Sequence, residues 1–281
     1  MKQPLLSIVI ANYNYGRFLE EAIRSVIGQE LAEKIELIIC DAASTDNSVD
    51  VIKKYEENIT WWCSEPDGGQ SAAFNKGFSH ARGRFLTWLN ADDVMMPGTL
   101  KLLEIAVDEN PTCEWYVGGV MWLDVNMHIL NMYRGRPFSE ARNRCGSVSV
   151  WGPSSFFTKR LLDAVGGVDE RFRYTMDTDL WRKFAKMGAR YLPIADYAWG
   201  LRLHEGAKMS GHNFPGTLDA LPEHPKWKQI AKENKWMDES CPHDKEMSFV
   251  GRVLSASWSK VLAGKLDSFR YRGRYYMDYY K

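Results

Sequence analysis

The chain has little of what marks secreted, membrane-spanning or nucleic-acid-binding proteins. Its five cysteines, at positions 40, 63, 113, 145 and 241, are odd in number and widely spaced. With no CxxC pair they indicate neither a zinc knuckle nor a disulfide framework, and free thiols in a reducing cytoplasm are expected. No run of about 18 apolar residues occurs, so no helix is expected to cross a membrane. The apolar stretch from Leu5 to Ala11 is too short for a signal-peptide core. Charge of one sign is also missing: 36 lysines and arginines balance 36 aspartates and glutamates. That balance gives no argument for a nucleic-acid partner.

What is present is ordinary in bulk and unusual in one respect. The 281 residues are 45% hydrophobic and 26% charged, as in a globular protein of one large domain or one domain with an appendage. The chain holds 11 tryptophans and 13 tyrosines. Aromatic rings at that frequency line sugar or nucleobase sites, although core packing is their commoner use.

The first half alternates strand and helix signals. Ser7 to Ala11 is a continuous apolar run, as in a strand buried on both faces. Phe18, Leu19, Ala22, Ile23, Val26 and Ile27 then recur at helical spacing. Strands are expected at Ile35 to Cys40, Ile59 to Cys63 and Phe85 to Leu89. Helices are expected after Ser44-Thr45-Asp46, over Gln70 to Ala81, and from Pro97 to Ala106. A βαβα alternation with short connections implies an α/β fold, a mostly parallel central sheet flanked by helices. Farther on, Trp115 to Trp122 and Met127 to Tyr133 suggest a hairpin. A helix is expected over Asp177 to Met187, and strands at Tyr191 to Ala195 and Leu201 to Leu203.

Ligands of such sheets collect at the strand carboxyl ends. Three of those ends are polar here: Asn12-Tyr13-Asn14, Asp41 to Asp46, and Asn90-Ala91-Asp92-Asp93. The last closes the run Phe85 to Leu89 with two adjacent carboxylates, which solvent or a hard cation must neutralise. Mg²⁺ or Mn²⁺ shared with a substrate phosphate suits oxygen ligands of this kind. A solvated turn is the alternative. Gly68-Gly69-Gln70 opens a helix, where backbone can approach a phosphate, or it is a simple turn.

These blocks together resemble the family 2 glycosyltransferases, inverting enzymes of the GT-A fold that use sugar nucleotides. The resemblance is carried by Ser7 to Asn14, Asp41 to Asp46, Glu65 to Gly77, Asn90 to Asp93, Gly166 to Glu170, Asp177 to Trp181 and Arg202 to His204, in that order. It covers residues 5 to about 210. It implies a glycosyltransferase domain over 1–210, with a nucleotide-sugar half to about 110 and an acceptor half beyond. It also implies roles. Asp41 receives the base edge, a uracil being favoured, and Ala11, Asn12 and Tyr13 flank base or ribose. Gly69, Gln70 and Asn75 help hold the donor. Asp92 carries Mn²⁺ or Mg²⁺, with His204 completing the metal site and Asp93 supporting it or touching the donor sugar. Asn90 stands where an acid is commoner and leaves metal strength open. Asp177 is the implied catalytic base, with Asp179 as its rival and an N-cap as its structural alternative. Trp181 stacks on a sugar or fills the core.

The implied reaction is transfer of a sugar to a hydroxyl of a glycan or lipid-linked glycan, as in cell-surface polysaccharide synthesis. Two other readings stay open: a nucleotidyltransferase that makes sugar nucleotides, and a silent glycan-binding protein of the same fold. Residues 211–281 read as a helical extension. Its stretch from Arg252 holds seven basic, two acidic and seven aromatic side chains. Packing on the domain or a homo-oligomer contact is favoured over peripheral attachment to the inner face of a membrane.

Overall fold

The computed structural model describes residues 3–139, 150–208, 267 and 271–280. Strands β1 (Leu6–Asn12), β2 (Ile35–Asp41), β3 (Trp61–Ser64) and β4 (Phe85–Asn90) alternate with helices α1 (Gly16–Ile27), α2 (Ser48–Lys54) and α3 (Gln70–His80). After β4 come β5 (Val94–Met95), α4 (Thr99–Glu109), β6 (Trp115–Leu123), β7 (Ile129–Tyr133) and β8 (Ser155–Thr158). Helices α5 (Lys159–Ala164) and α6 (Met176–Lys186) precede the long β9 (Leu192–Arg202).

All nine strands join one sheet in the order β3-β2-β1-β4-β8-β6-β9-β5, with β7 on β6. From β3 to β4 it is parallel, as the βαβα pattern requires. Beyond β4 it is mixed. β8 runs antiparallel to β4 and β6, and β5 antiparallel to β9, while β6 and β9 are parallel. The expected hairpin is the β6–β7 pair. The two strands expected at Tyr191 to Ala195 and Leu201 to Leu203 are one element. Its pairing with β6 shifts register on both sides of Gly119, an irregularity that broke the apparent run.

Side chains alternate across the sheet and build a core on each face. Ile8 and Ile10 of β1 pack with Leu19, Ile23 and Val26 of α1 and Leu100 and Leu103 of α4. Val9 faces the other way, toward Phe74 and Phe78 of α3 and Leu180, Trp181 and Phe184 of α6. Among the described residues no helix is long and apolar enough to cross a membrane. The described cysteines Cys40, Cys63 and Cys113 are free thiols. The boundary expected near 210 lies beside undescribed residues. Apart from Asp267, the stripe from Val253 to Phe269 lies outside them.

A third apolar cluster, including Met121, Met127, Ile129, Met132 and Tyr197, is covered by Tyr276. The segment 271–280 is held there by main-chain bonds. Ile129 N–H donates to the Arg274 carbonyl at 2.7 Å, and Tyr276 N–H donates to the Met127 carbonyl at 3.0 Å. Asp267 accepts from Arg134 at 2.9 Å and from the Tyr197 hydroxyl at 2.8 Å.

Candidate active site

The three polar strand ends meet at one edge of the parallel half. β1, β2 and β4 are in register, so Asn12 lies beside Asp41 and Ala11 beside Asn90. Asp41 is 1% exposed, and both its oxygens are occupied. One accepts from Asn12 Nδ2 at 2.6 Å and Ser44 Oγ at 2.5 Å, the other from Ser44 N at 3.0 Å and Ser64 Oγ at 2.5 Å. Ala43, at φ 55°, turns the chain left-handed so that Ser44 folds back onto Asp41. A ligand reaching Asp41 must therefore displace a serine hydroxyl. Tyr13 stands out at 60% exposure beside this pair. The helix-capping role expected near Asp46 is there: its carboxylate accepts from Ser48 N at 2.9 Å and from Gly16 N at 2.9 Å, joining the starts of α1 and α2.

At the end of β4, Asp93 is 1% exposed and braced from three sides. Arg202 N and Trp199 Nε1 each donate to it at 2.9 Å, and Asn90 Nδ2 donates at 2.6 Å. Burial, then the neighbouring charge of Asp92, pushes its carboxyl well above the ordinary value, against the pull of those three bonds. Asn90 thus supplies a proton where an acid would add a third carboxylate. Its own Oδ1 accepts from Gln70 Nε2 at 2.8 Å, and Lys208 Nζ donates to Gln70 Oε1 at 2.5 Å.

Asp92 points the other way. Its Oδ2 lies 3.1 Å from His204 Nε2, a contact between segments 112 residues apart. The imidazole is walled by Phe18 at 4.6 Å and by the edge of Tyr15 at 5.7 Å between ring centroids. Burial, then Asp92, pushes the Tyr15 hydroxyl up to about 12. On the far side, Arg17 Nη2 is 3.3 Å from His204 Nδ1. A guanidinium only donates, so Nδ1 accepts and Nε2 carries the proton toward Asp92.

Among the described residues no group of three or more His, Cys, Asp or Glu is placed to hold a metal. Asp92 and His204 fit a shared ion of the kind that takes one or two protein ligands and completes its shell from phosphates and water. To serve as a ligand through Nε2 the ring must take the other tautomer, with Arg17 drawn off Nδ1.

Asp177 lies in the first turn of α6, partly exposed. Its Oδ1 accepts from Thr178 N at 2.7 Å. Burial raises the Asp177 carboxyl above its ordinary value, and the Thr178 bonds and the Lys208 charge oppose that rise. A Cβ added to Gly152 would lie 3.7 Å from Asp177 Oδ2 and 3.9 Å from the Trp199 ring. Gly152 therefore lies close to both Asp177 and the Trp199 ring. Asp179, the rival, faces the interior at 0% exposure and pairs with Lys183 at 2.7 Å. It has no route to a substrate.

Two expected contacts need correction. Trp181 is 1% exposed, with its ring stacked between Trp88 at 5.4 Å and Trp115 at 5.5 Å. No face remains for a sugar, so it fills the core. Asn75 sits a turn and a half along α3 and staples the Gly166 to Glu170 turn, donating to the Val168 carbonyl at 2.8 Å and accepting from Val168 N at 2.9 Å. Its amide supports the turn before α6 and does not join the strand-end cluster. Sequence reasoning overlooked Arg17, Trp199 and Lys208. Lys208 follows His204 by four residues, which was a usable signal; the other two are placed only by tertiary contacts.

An α/β sheet with its polar groups gathered at the parallel strand ends, carboxylate beside imidazole, places a candidate ligand site at that edge. Residues 7–165 match the model of glycosyl transferase family 2, and the chain belongs to that family. A Nostoc protein described as an uncharacterised glycosyltransferase is 42% identical over 99 residues, which is 34% of this chain and 30% of that protein. The S. aureus TarS structure in complex with UDP-GlcNAc superposes with a TM-score of 0.57 at 19% identity, covering 73% of this chain and 60% of that one. The mannosyltransferase PcManGT of Pyrobaculum calidifontis, in complex with GDP-Man and Mn²⁺, gives 0.56 at 16% identity over 96% and 88%. At such identities the likeness to the two structures is one of fold. The matched stretch spans less than two thirds of the length of the first curated relatives.

Proposed function

We propose that the enzyme moves a sugar, with inversion, from a nucleoside diphosphate sugar to a hydroxyl of a glycan or lipid-linked glycan. The observation that carries this reading is the meeting of Asp92 and His204, 3.1 Å apart, at the sheet edge where Asp41 and Asn12 also end. Asp41, Asn12, Ala11 and Tyr13 hold the base and ribose, with UDP favoured. Gly69 and Gln70 border the donor phosphates, and Asp93, Asn90 and Ala91 fix the turn that presents Asp92. Asp92 and His204 hold Mn²⁺ or Mg²⁺. Such an ion supplies positive charge to the departing diphosphate. Complexes of fold neighbours with UDP-GlcNAc and with GDP-Man and Mn²⁺ support a donor of this class.

In one displacement the acceptor oxygen bonds to the anomeric carbon as the bond to the diphosphate breaks. Asp177 takes the hydroxyl proton. Its raised carboxyl makes it a stronger base than an ordinary aspartate. The test is a panel of sugar nucleotides with Mn²⁺ or Mg²⁺ and oligosaccharide or lipid-linked acceptors, scored by release of nucleoside diphosphate. Acceptor-dependent release from one donor is expected. Asp177→Asn should lower that turnover by about 10²–10⁴-fold at unchanged donor affinity. Turnover that survives the substitution rejects Asp177 as the base.

A further inference from the structure

The donor reading leaves one cation of the cleft without a role. Lys208 lies on the loop after β9, four residues beyond His204. Its ammonium bonds two oxygens from different elements: Gln70 Oε1 at 2.5 Å and the Arg173 carbonyl at 3.1 Å. It also lies 5.7 Å from the centroid of the Tyr174 ring. Lys208 therefore bridges the start of α3 to the segment leading into α6, which carries Asp177.

The bond to Gln70 is the first link of a directed chain. Lys208 only donates, so the Gln70 oxygen must face it and the Gln70 amide nitrogen must face away. That nitrogen donates to Asn90 Oδ1 at 2.8 Å, and Asn90 Nδ2 donates to Asp93 Oδ2 at 2.6 Å. The chain ends on the buried Asp93. Both amide orientations are thus fixed from the Lys208 end. An ammonium on a flexible four-carbon stem is held at one end, two residues before Asp92 in the turn it reaches. Its present acceptor, Gln70, is a neutral amide, whereas a phosphate oxygen would meet the same ammonium with a full opposite charge.

We propose that Lys208 is a donor-binding residue that exchanges the Gln70 amide for the distal phosphate of the nucleoside diphosphate. The inference rests on the donor reading above. The exchange replaces the bond between the loop and the start of α3 with one from the loop to the donor. Because the Gln70–Asn90 link is retained, the turn that presents Asp92 stays in place while Lys208 moves. Position 90 is accordingly an amide for a reason: a carboxylate there would face Asp93 with like charge and lose the donor that closes the chain.

Calorimetric titration of the full chain with UDP, GDP, UMP and GMP in the presence of MnCl₂ tests this. Lys208→Ala should weaken the diphosphate that binds wild type by about tenfold or more, while the matching monophosphate changes by less than about twofold. Lys208→Arg should retain most of the diphosphate affinity. Equal losses for diphosphate and monophosphate make Lys208 a structural bridge and overturn the proposal, as does an unchanged diphosphate affinity in a Lys208→Ala variant that melts like wild type. Wild type that binds neither diphosphate contradicts the donor reading itself.

Discussion

Four carboxylates of the site differ by environment rather than by residue type. Asp41 is saturated by four internal donors, Asp93 by three, Asp92 faces an imidazole, and Asp177 looks into the cleft. Sequence placed three of them at strand ends and Asp177 at a helix start, where they lie. It did not separate Asp177 from Asp179, because both lie in the first turn of one helix. Packing separates them: α6 turns Asp179 inward to Lys183. Trp181 was ambiguous for a similar reason, since an indole serves a sugar face or a core equally well until its neighbours are known. The raised Asp177 carboxyl has two consequences. The rate should fall with acid through a value above the ordinary carboxylate range, seen as an acid limb of the kcat profile. The folded state also binds that proton more tightly than the unfolded chain, so stability falls as pH rises from about 4 to the raised value. Asp177→Asn should therefore melt higher than wild type at neutral pH, and the gain should vanish below about pH 4 in thermal melts.

At the scale of elements, the parallel half was legible because each strand and helix is short, periodic and followed by its spatial neighbour. The mixed half was not. β8 slots between β4 and β6 through antiparallel pairings, and no local pattern encodes a partner so far along the chain. β9 looked like two strands because its register against β6 slips. One close contact positions the donor side: a Cβ on Gly77 would meet Val9 Cγ1 at 2.3 Å, so α3 lies directly on β1. Gly77→Ala should force α3 off the sheet and cost about 1–3 kcal/mol in urea denaturation. Because Gly69 and Gln70 begin that helix, nucleotide affinity should fall as well.

Across the whole molecule, the site is assembled from segments far apart in sequence, and the stretch near the far end of the chain completes the fold. The segment 271–280 covers the cluster around Met127, Ile129 and Met132, and Tyr276 is 8% exposed there. The basic-aromatic composition read from sequence favoured packing or an oligomer contact over a membrane surface only weakly, since the same rings and arginines serve both. Removing residues 271–281 should uncover that cluster and lower the melting temperature by several degrees. The central claim is that the Asp92 turn, met by His204, binds a sugar nucleotide through a divalent cation. Titrating UDP-sugars and GDP-sugars into wild type and Asp92→Ala, each with MnCl₂ and with EDTA, tests it most directly. Wild type should bind one donor far more tightly with Mn²⁺ than with EDTA, and Asp92→Ala should lose that difference. Equal donor affinity with and without Mn²⁺ in wild type, or a metal effect that survives in Asp92→Ala, contradicts the account.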